Sequence, residues 1–235
     1  MRAVVLAGGY GLRLRPYTTV LPKPLVPVGD RPVLEHILRR LAAAGVVRAD
    51  LCVSHLGGLI QAYFSQAGTL PHGLELAWHW EEQPLGTAGA LRMIPDLDET
   101  FIAVNGDLLT TVDFKAIVDH HRSQQAALTI ATQERGVPLD LGVIECVNGD
   151  IVAYREKPTL RFVASLGIYV YDPRALRHLP DGPAQFPDFV QALLRAGERV
   201  VPFPSGAQTF DIGTVEQHAA ATRALAEHPL DFLTE

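Results

Sequence analysis

Residues able to do chemistry gather first in the stretch Gly8-Gly9-Tyr10-Gly11-Leu12-Arg13-Leu14-Arg15-Pro16, which continues to Leu21-Pro22-Lys23-Pro24. Glycine N–H groups, with no Cβ in the way, approach a ligand closely, and Arg forks plus one Lys complete a cradle for phosphate oxygens. The spacing excludes a Walker A loop, because no Gly-Lys-Ser/Thr follows. It also excludes a dinucleotide turn, because Gly9-x-Gly11 lacks the third glycine. An ordinary surface loop remains the alternative. Asp107 ends an apolar run in Asn105-Gly106-Asp107, where an open α/β sheet would bind ligands, although a lone Asp there more often caps a turn. The triplet Arg155-Glu156-Lys157 before Pro158 pairs a hydroxyl acceptor with a mobile point charge suited to phosphate, or is an exposed strand end. Asp211, before Ile212-Gly213-Thr214, reads by itself as a residue next to a helix N-cap.

The elements that must position these groups alternate. Ala3–Ala7 reads as a buried strand. A helix follows, with Asp30 as N-cap, Pro32 at its first position, and Val33, Leu34, Ile37, Leu38 and Leu41 at helical spacing until Gly45. Strands are expected at Ala49–Ser54 and Leu74–Trp80, around a helix carrying Leu59, Ile60, Tyr63 and Phe64. In Glu81–Arg92, Pro84 and Gly86 turn the chain and Thr87 caps a short Ala-rich helix whose N–H groups could face a base or phosphate. Thr100–Asn105 is the next strand, and Asp113 caps a helix reaching Gln124. His120 and His121 point to different sides of that helix, so both are expected at the surface rather than on zinc. Ala126–Thr132 is a strand. Leu141–Cys146 and Ile151–Arg155 form a hairpin across Asn148-Gly149. Phe162–Tyr171, helices near Pro173–Leu179 and Phe186–Ala196, and a strand at Arg199–Phe203 complete the pattern. Strand alternating with helix predicts an α/β fold with a doubly wound, mainly parallel mixed sheet. No linker or repeat interrupts it, so residues 1–235 are read as a single domain.

The chain of 235 residues carries a net charge of −6, unevenly spread. Residues 1–40 hold seven Lys/Arg against Asp30 and Glu35, a balance of +5 that leaves −11 for the rest. A basic island in an acidic protein suits a small anionic substrate and argues against nucleic acid. No apolar stretch is long enough for a membrane span, and the opening MRAVVLAGG reads as a strand rather than a signal peptide. Cys52 and Cys146, both in apolar surroundings, are expected to be buried reduced thiols of a cytoplasmic protein. A homo-oligomer is compatible with the sequence, although no dimer interface is legible in it.

The run AGGYGLRLRPYTTVLPKPLVPVGDRP resembles the N-terminal signature of the sugar-phosphate nucleotidylyltransferases, GGxGTRLxPxTxxxPKPLxPVxxKP, with Leu12 in place of the usual Thr and Arg31 in place of a common Lys. Further runs resemble the same family. EEQPLGTAGAL is similar to the EEPLGTAGAL of guanylyltransferases that make GDP-sugars. Asn105-Gly106-Asp107, Glu156-Lys157-Pro158 and Asp211-Ile212-Gly213-Thr214 match its NGD, EKP and DIGT motifs. FVASLGIYVY is similar to its NAGIYVF strand, with Gly167 kept and the usual Asn absent at Ala164-Ser165-Leu166. Leu141 stands where an aromatic residue is usual. The motifs are most like those of mannose-1-phosphate guanylyltransferase-like enzymes without a C-terminal β-helix domain.

The resemblance implies a Rossmann-like nucleotidyltransferase fold. Residues 1–110 would mainly bind nucleotide and residues 111–235 mainly sugar phosphate. Leu6, Ala7, Gly8, Gly9, Gly11, Arg13, Lys23, Gln83, Gly86 and Thr87 would contact the NTP. Gly142, Glu156, Lys157 and Gly167 would contact the sugar 1-phosphate, and Asp107 and Asp211 would hold Mg²⁺. Arg13, Lys23 and Asp107 would be catalytic in the transfer of a nucleotidyl group, with pyrophosphate released. The implied substrates are GTP and mannose 1-phosphate. Heptose 1-phosphate with GTP comes next, then glucose 1-phosphate with dTTP or UTP. A catalytically silent regulatory homologue is the rival reading, and retention of Arg13, Lys23, Asp107, Lys157 and Asp211 together argues against it.

Overall fold

The computed structural model describes residues 1–232. The chain runs β1 (Arg2–Leu6), α1 (Val33–Ala43), β2 (Arg48–Val53), α2 (Gly57–Phe64), β3 (Glu75–Trp80), α3 (Gly86–Gly89), β4 (Phe101–Asn105) and α4 (Phe114–Gln124). It continues through β5 (Leu128–Pro138), β6 (Val143–Val147), β7 (Asp150–Arg155), β8 (Thr159–Tyr171), α5 (Phe186–Arg195), β9 (Val200–Pro204) and α6 (Val215–Glu227). Seven strands form one sheet in the order β9-β5-β8-β4-β1-β2-β3. β1 is parallel to β2 and β4, whereas β8 is antiparallel to both β4 and β5. The expected mainly parallel mixed sheet is therefore present. Its order reverses at β1, because the chain leaves β3 at one edge and returns as β4 on the other side of β1.

Local chemistry explains the elements near this switch point. Ala3, Val4 and Val5 are fully buried, as a central strand covered on both faces requires. Val33, Leu34, Ile37, Leu38 and Leu41 of α1 are all buried in the core, each contributing about 1.5–3 kcal/mol. The helix ends in a Schellman motif: Gly45 at φ 87 donates to Ala42 O, and Val46 donates to Leu41 O. Asp113 caps α4 through Lys115 N and Ala116 N, both 2.9 Å away. One core lies under α1, α2 and α4, and a second under α5 with the 90–94 turn. A third, built by Leu14, Val26, Leu109, Ile212 and Leu225, joins the loop after β1 to α6.

Several expectations need correction. Asp30 makes no cap; Pro32 occupies the N-cap position of α1 and, with Arg31, pairs with Pro27-Val28. Thr87 lies inside α3 rather than at its cap. His121 is buried on Thr129 rather than exposed, because the α4 face that carries Phe114, Ile117 and Val118 turns it inward. Cys52 is buried, but Cys146 is exposed, because its hairpin stands clear of the sheet. β5 runs on to Pro138 because Thr159–Ser165 of β8 pairs with it, and not because Gln133–Pro138 has strand-like composition. Among the described residues, no helix is long and apolar enough to cross a membrane.

Candidate functional site

The carboxyl ends of β1 and β4 meet at the register pair Leu6 and Asn105. Both residues line a cavity of about 300 Å³ whose wall also includes Gly8, Gly9, Glu81, Gly86, Thr87, Asp107 and Gln185. Six of the expected site residues thus share one hollow: Leu6, Gly8, Gly9, Gly86, Thr87 and Asp107. Ala7 is buried behind it, its N–H bonded to Cys52 O. Gly86 adopts φ 80, and a Cβ there would lie 2.5 Å from Ala184 O, so only glycine lets the chain turn against the loop before α5. α3 is tied to that loop. Thr87 Oγ1 accepts from Phe186 N at 2.8 Å and donates to Gln185 Oε1 at 3.3 Å. Gln83 is exposed and outside the cavity lining. Glu81 lies inside it and accepts from Leu85 N at 3.1 Å.

Beside this hollow lies a charged centre. Lys23 is 8% exposed and donates to Asp107 Oδ2 and, at 2.9 Å, to Asp211 Oδ1. The two aspartates are far apart in sequence, and a short antiparallel pair brings them together. Thr209–Asp211 runs against Leu108–Thr110, with Asp211 opposite Leu108 and Ile212 N on Asp107 O at 3.2 Å. Gly11, at φ 61, lets the loop fold down on the lysine; a Cβ there would meet Thr18 at 2.9 Å and Lys23 Cβ at 3.2 Å. Burial works against the Lys23 charge, but two carboxylates outweigh it and raise its pKa. Asp107 has the opposite balance. Burial, reinforced by Asp211, holds its pKa above the usual carboxylate range despite Lys23. One cation shared by two anions explains both directions.

Asp107 Oδ1 is buried with no hydrogen-bond partner. A bare carboxylate oxygen beside a second aspartate fits a hard cation. Among the described residues no group of three or more His, Cys, Asp or Glu side chains could hold a metal. Further oxygens for Mg²⁺ would therefore have to come from ligand and water. Arg13 is exposed and reaches the same region: a Cβ added to Gly213 would lie 3.2 Å from both Arg13 Nη2 and Asp211 Oδ1.

On the other side of Asn105 is a second cavity of about 340 Å³, lined among others by Arg135, Ser165, Gly167, Asp211 and Gln217. Asp107 thus faces one hollow, Asp211 the other, and Lys23 bridges them. The register of β8 shifts between Ser165 and Tyr169, which aims the Gly167 bend into this cavity. Asn105, Glu81, Gln185, Arg135 and Gln217 were not singled out from sequence. Asn105 and Glu81 stand within motifs that could have flagged them. Arg135, on an unforeseen strand extension, and Gln185, in a loop, carried no signal.

Gly142, Glu156 and Lys157 line neither cavity. They flank the hairpin β6–β7, where Tyr154 donates to Glu156 Oε2 at 2.7 Å. The Tyr154 hydroxyl lies 2.2 Å from where a Cβ on Gly142 would sit, so residue 142 must be glycine for this ring to rest there.

Known proteins are similar to this chain both in fold and in sequence. A solved UDP-glucose pyrophosphorylase from Acinetobacter baumannii superposes with a TM-score of 0.77 at 22% identity, over 97% of this chain and 94% of the other. HddC from Yersinia pseudotuberculosis gives 0.74 at 24%, over 95% and 99%. Curated relatives include a mannose-1-phosphate guanylyltransferase of Mycobacterium tuberculosis, 33% identical over 97% of this chain and 66% of that protein. A UTP–glucose-1-phosphate uridylyltransferase of Synechocystis is also 33% identical, over 77% of this chain and 52% of that protein. The chain spans about half to two thirds of the length of these relatives. The Nucleotidyl transferase family model matches residues 2–228, nearly the whole chain, and with these relatives it establishes that the chain belongs to the nucleotidyl transferase family.

Proposed function

We propose that this chain transfers a nucleotidyl group from an NTP, preferentially GTP, to a sugar 1-phosphate, preferentially mannose 1-phosphate. One observation carries the reading: two cavities meet at a lysine shared by two aspartates, which suits two anionic substrates joined at a phosphorus between them. A sugar-phosphate oxygen attacks the α-phosphorus in line, the α–β P–O bond breaks, and its electron pair leaves on pyrophosphate. The attacking phosphate is already ionised, so no general base is required and catalysis is positioning and charge neutralisation. The glycine backbone and Arg13 hold the triphosphate, and Gly86 and Thr87 offer backbone groups to the base. Lys23 balances charge gathering at the transferred phosphorus. Gly167, Glu156 and Lys157 serve the sugar phosphate, the last two from the hairpin. Asp107 and Asp211 would hold magnesium, which would supply neutralisation of phosphate oxygens. The setting in this reading is cytoplasmic, where both thiols stay reduced.

The guanylyltransferase relatives and the Glu82–Leu91 run support guanine, while the uridylyltransferase relative keeps UTP as the second reading. Pyrophosphate release should be measured for GTP, UTP, dTTP, CTP and ATP against mannose, heptose and glucose 1-phosphates. The highest kcat/KM is expected for GTP with mannose 1-phosphate. Asp107→Asn and Asp211→Asn should each lower kcat by about 10² or more while the fold survives. No pyrophosphate from any pair would sink the reaction class. UTP or dTTP ahead of GTP by about 1.4 kcal/mol, a factor of ten, would reassign the base alone.

A further inference from the structure

Two anionic substrates need positive charge, and the walls of the two cavities hold little of it. Among the described residues that line them, Arg135 is the one cation. Lys23 lies beside them and is already bonded to Asp107 and Asp211. Strand alternation aims Arg135. On β5, Thr132 and Glu134 face a groove shared with Val163, Pro202 and Ser205. Gln133 and Arg135 therefore turn to the opposite face of the strand, and Arg135 enters the wall of the second cavity. Two bonds hold this strand against the segment that runs on to Asp211. Gln133 Nε2 donates to Ala207 O at 3.3 Å, and Ser205 N donates to Thr132 O at 2.8 Å. The guanidinium is unengaged. Arg2, Arg48, Arg155 and Arg174 each hold a carboxylate, whereas Arg135 is exposed and has no ion-pair partner among the described residues. Asp211 lines the same hollow without pairing with it.

We infer that Arg135 holds the phosphate of the sugar 1-phosphate, an assignment that rests on reading the second cavity as the site of that substrate. A guanidinium is a planar fork whose parallel N–H groups match two phosphate oxygens, which an ammonium cannot do. Charge balance points to the phosphate rather than to the sugar ring. Without Arg135 this cavity would be lined by one carboxylate, Asp211, and otherwise by neutral groups, and it would repel a phosphate dianion. Neutral hydroxyls need no such counter-charge, and Asn105, Ser165, Thr209 and Gln217 line the same hollow with hydrogen-bonding side chains suited to them. Lys157 adds its charge from the hairpin, outside the cavity wall, so within the hollow the counter-ion of the phosphate is Arg135.

Calorimetric titration of the full chain tests this, with mannose, glucose and heptose 1-phosphates as probes, each with and without α,β-methylene GTP. Arg135→Gln should weaken mannose 1-phosphate by about 10- to 100-fold and leave binding of the GTP analogue within about twofold. Its melting temperature should not change, because the side chain it replaces is exposed and unpaired. The phosphate is common to all three probes, so the same factor should be lost for each of them. Arg135→Lys should recover part of the loss, since it keeps the charge and gives up the fork. In turnover, Arg135→Gln should raise KM for the sugar phosphate with little change in kcat. Equal affinity in native and variant chains, a loss confined to one sugar, an equal loss for the GTP analogue, or a native chain that binds none of the three probes would each overturn the assignment. Failure of the transfer reaction itself is read separately, as the absence of pyrophosphate from every substrate pair, and leaves the binding comparison to judge Arg135.

Discussion

Replacing Lys23 by Met tests the charged centre most directly. The substitution keeps the length and apolar stem of the side chain while removing the cation that contacts both carboxylates. Breaking a buried ion pair by deleting one partner costs about 3–5 kcal/mol. Asp211 is 46% exposed and Asp107 24%, so solvent screens part of the remaining repulsion and about 2 kcal/mol is expected at neutral pH. For a chain this size that corresponds to a melting temperature lower by about 4–8 °C. The loss depends on pH in a defined sense. Asp107 already has its folded pKa raised by burial and by Asp211, and without Lys23 it rises further. An acid with a raised folded pKa takes up a proton on folding, so its destabilising effect fades as pH falls through that value. Urea unfolding should therefore show the full deficit at about pH 8 and a smaller one at about pH 5. Millimolar Mg²⁺ should restore more stability to the variant than to the native protein, because the bare carboxylate pair gains a counter-ion. Equal stability at the higher pH, or a deficit that does not shrink on acidification, would refute the reasoning.

Other expectations follow from single residues. Burial in the α4–sheet contact pushes the His121 pKa down to about 4. Stability contributed above about pH 6.5, some 3 kcal/mol, is lost as pH falls from there to about 4, so His121→Gln should flatten the melting temperature across that window. An unchanged slope would mean that His121 binds protons alike in the folded and unfolded chain, so that burial does not perturb it. Gly86→Ala forces a left-handed backbone and a backbone clash, costing at least about 1–2 kcal/mol and weakening nucleotide binding, read by thermal melting and by titration with GTP. Arg13→Ala should weaken the NTP, whereas Lys157→Ala should mainly weaken the sugar phosphate by about 1.5–3 kcal/mol. Calorimetric titration of each substrate separates the two. The reverse pattern would invert the proposed polarity of the site.

What the sequence determined by itself is the local part of this protein. The apolar run Ala3–Val5, the helical spacing from Val33 to Leu41 stopped by Gly45, the Asp113 cap and the Asn148-Gly149 hairpin turn all depend on neighbouring residues, and each formed where its pattern stands. The glycine loop and the aspartates at 107 and 211 were legible as candidates for the same reason, because a motif is a local pattern. Tertiary structure alone decided how they meet. The pairing of Thr209–Asp211 with Leu108–Thr110 sets Asp211 beside Asp107 and puts Lys23 between them, and nothing near any of the three residues encodes it. The extension of β5 to Pro138, which brings Arg135 to the second cavity, was likewise settled by its partner strand. His121 and Cys146 show the same dependence in opposite directions. One went inside and the other outside because burial is fixed by what the rest of the chain packs against a residue, and a one-dimensional pattern reports only the residue's side of that contact.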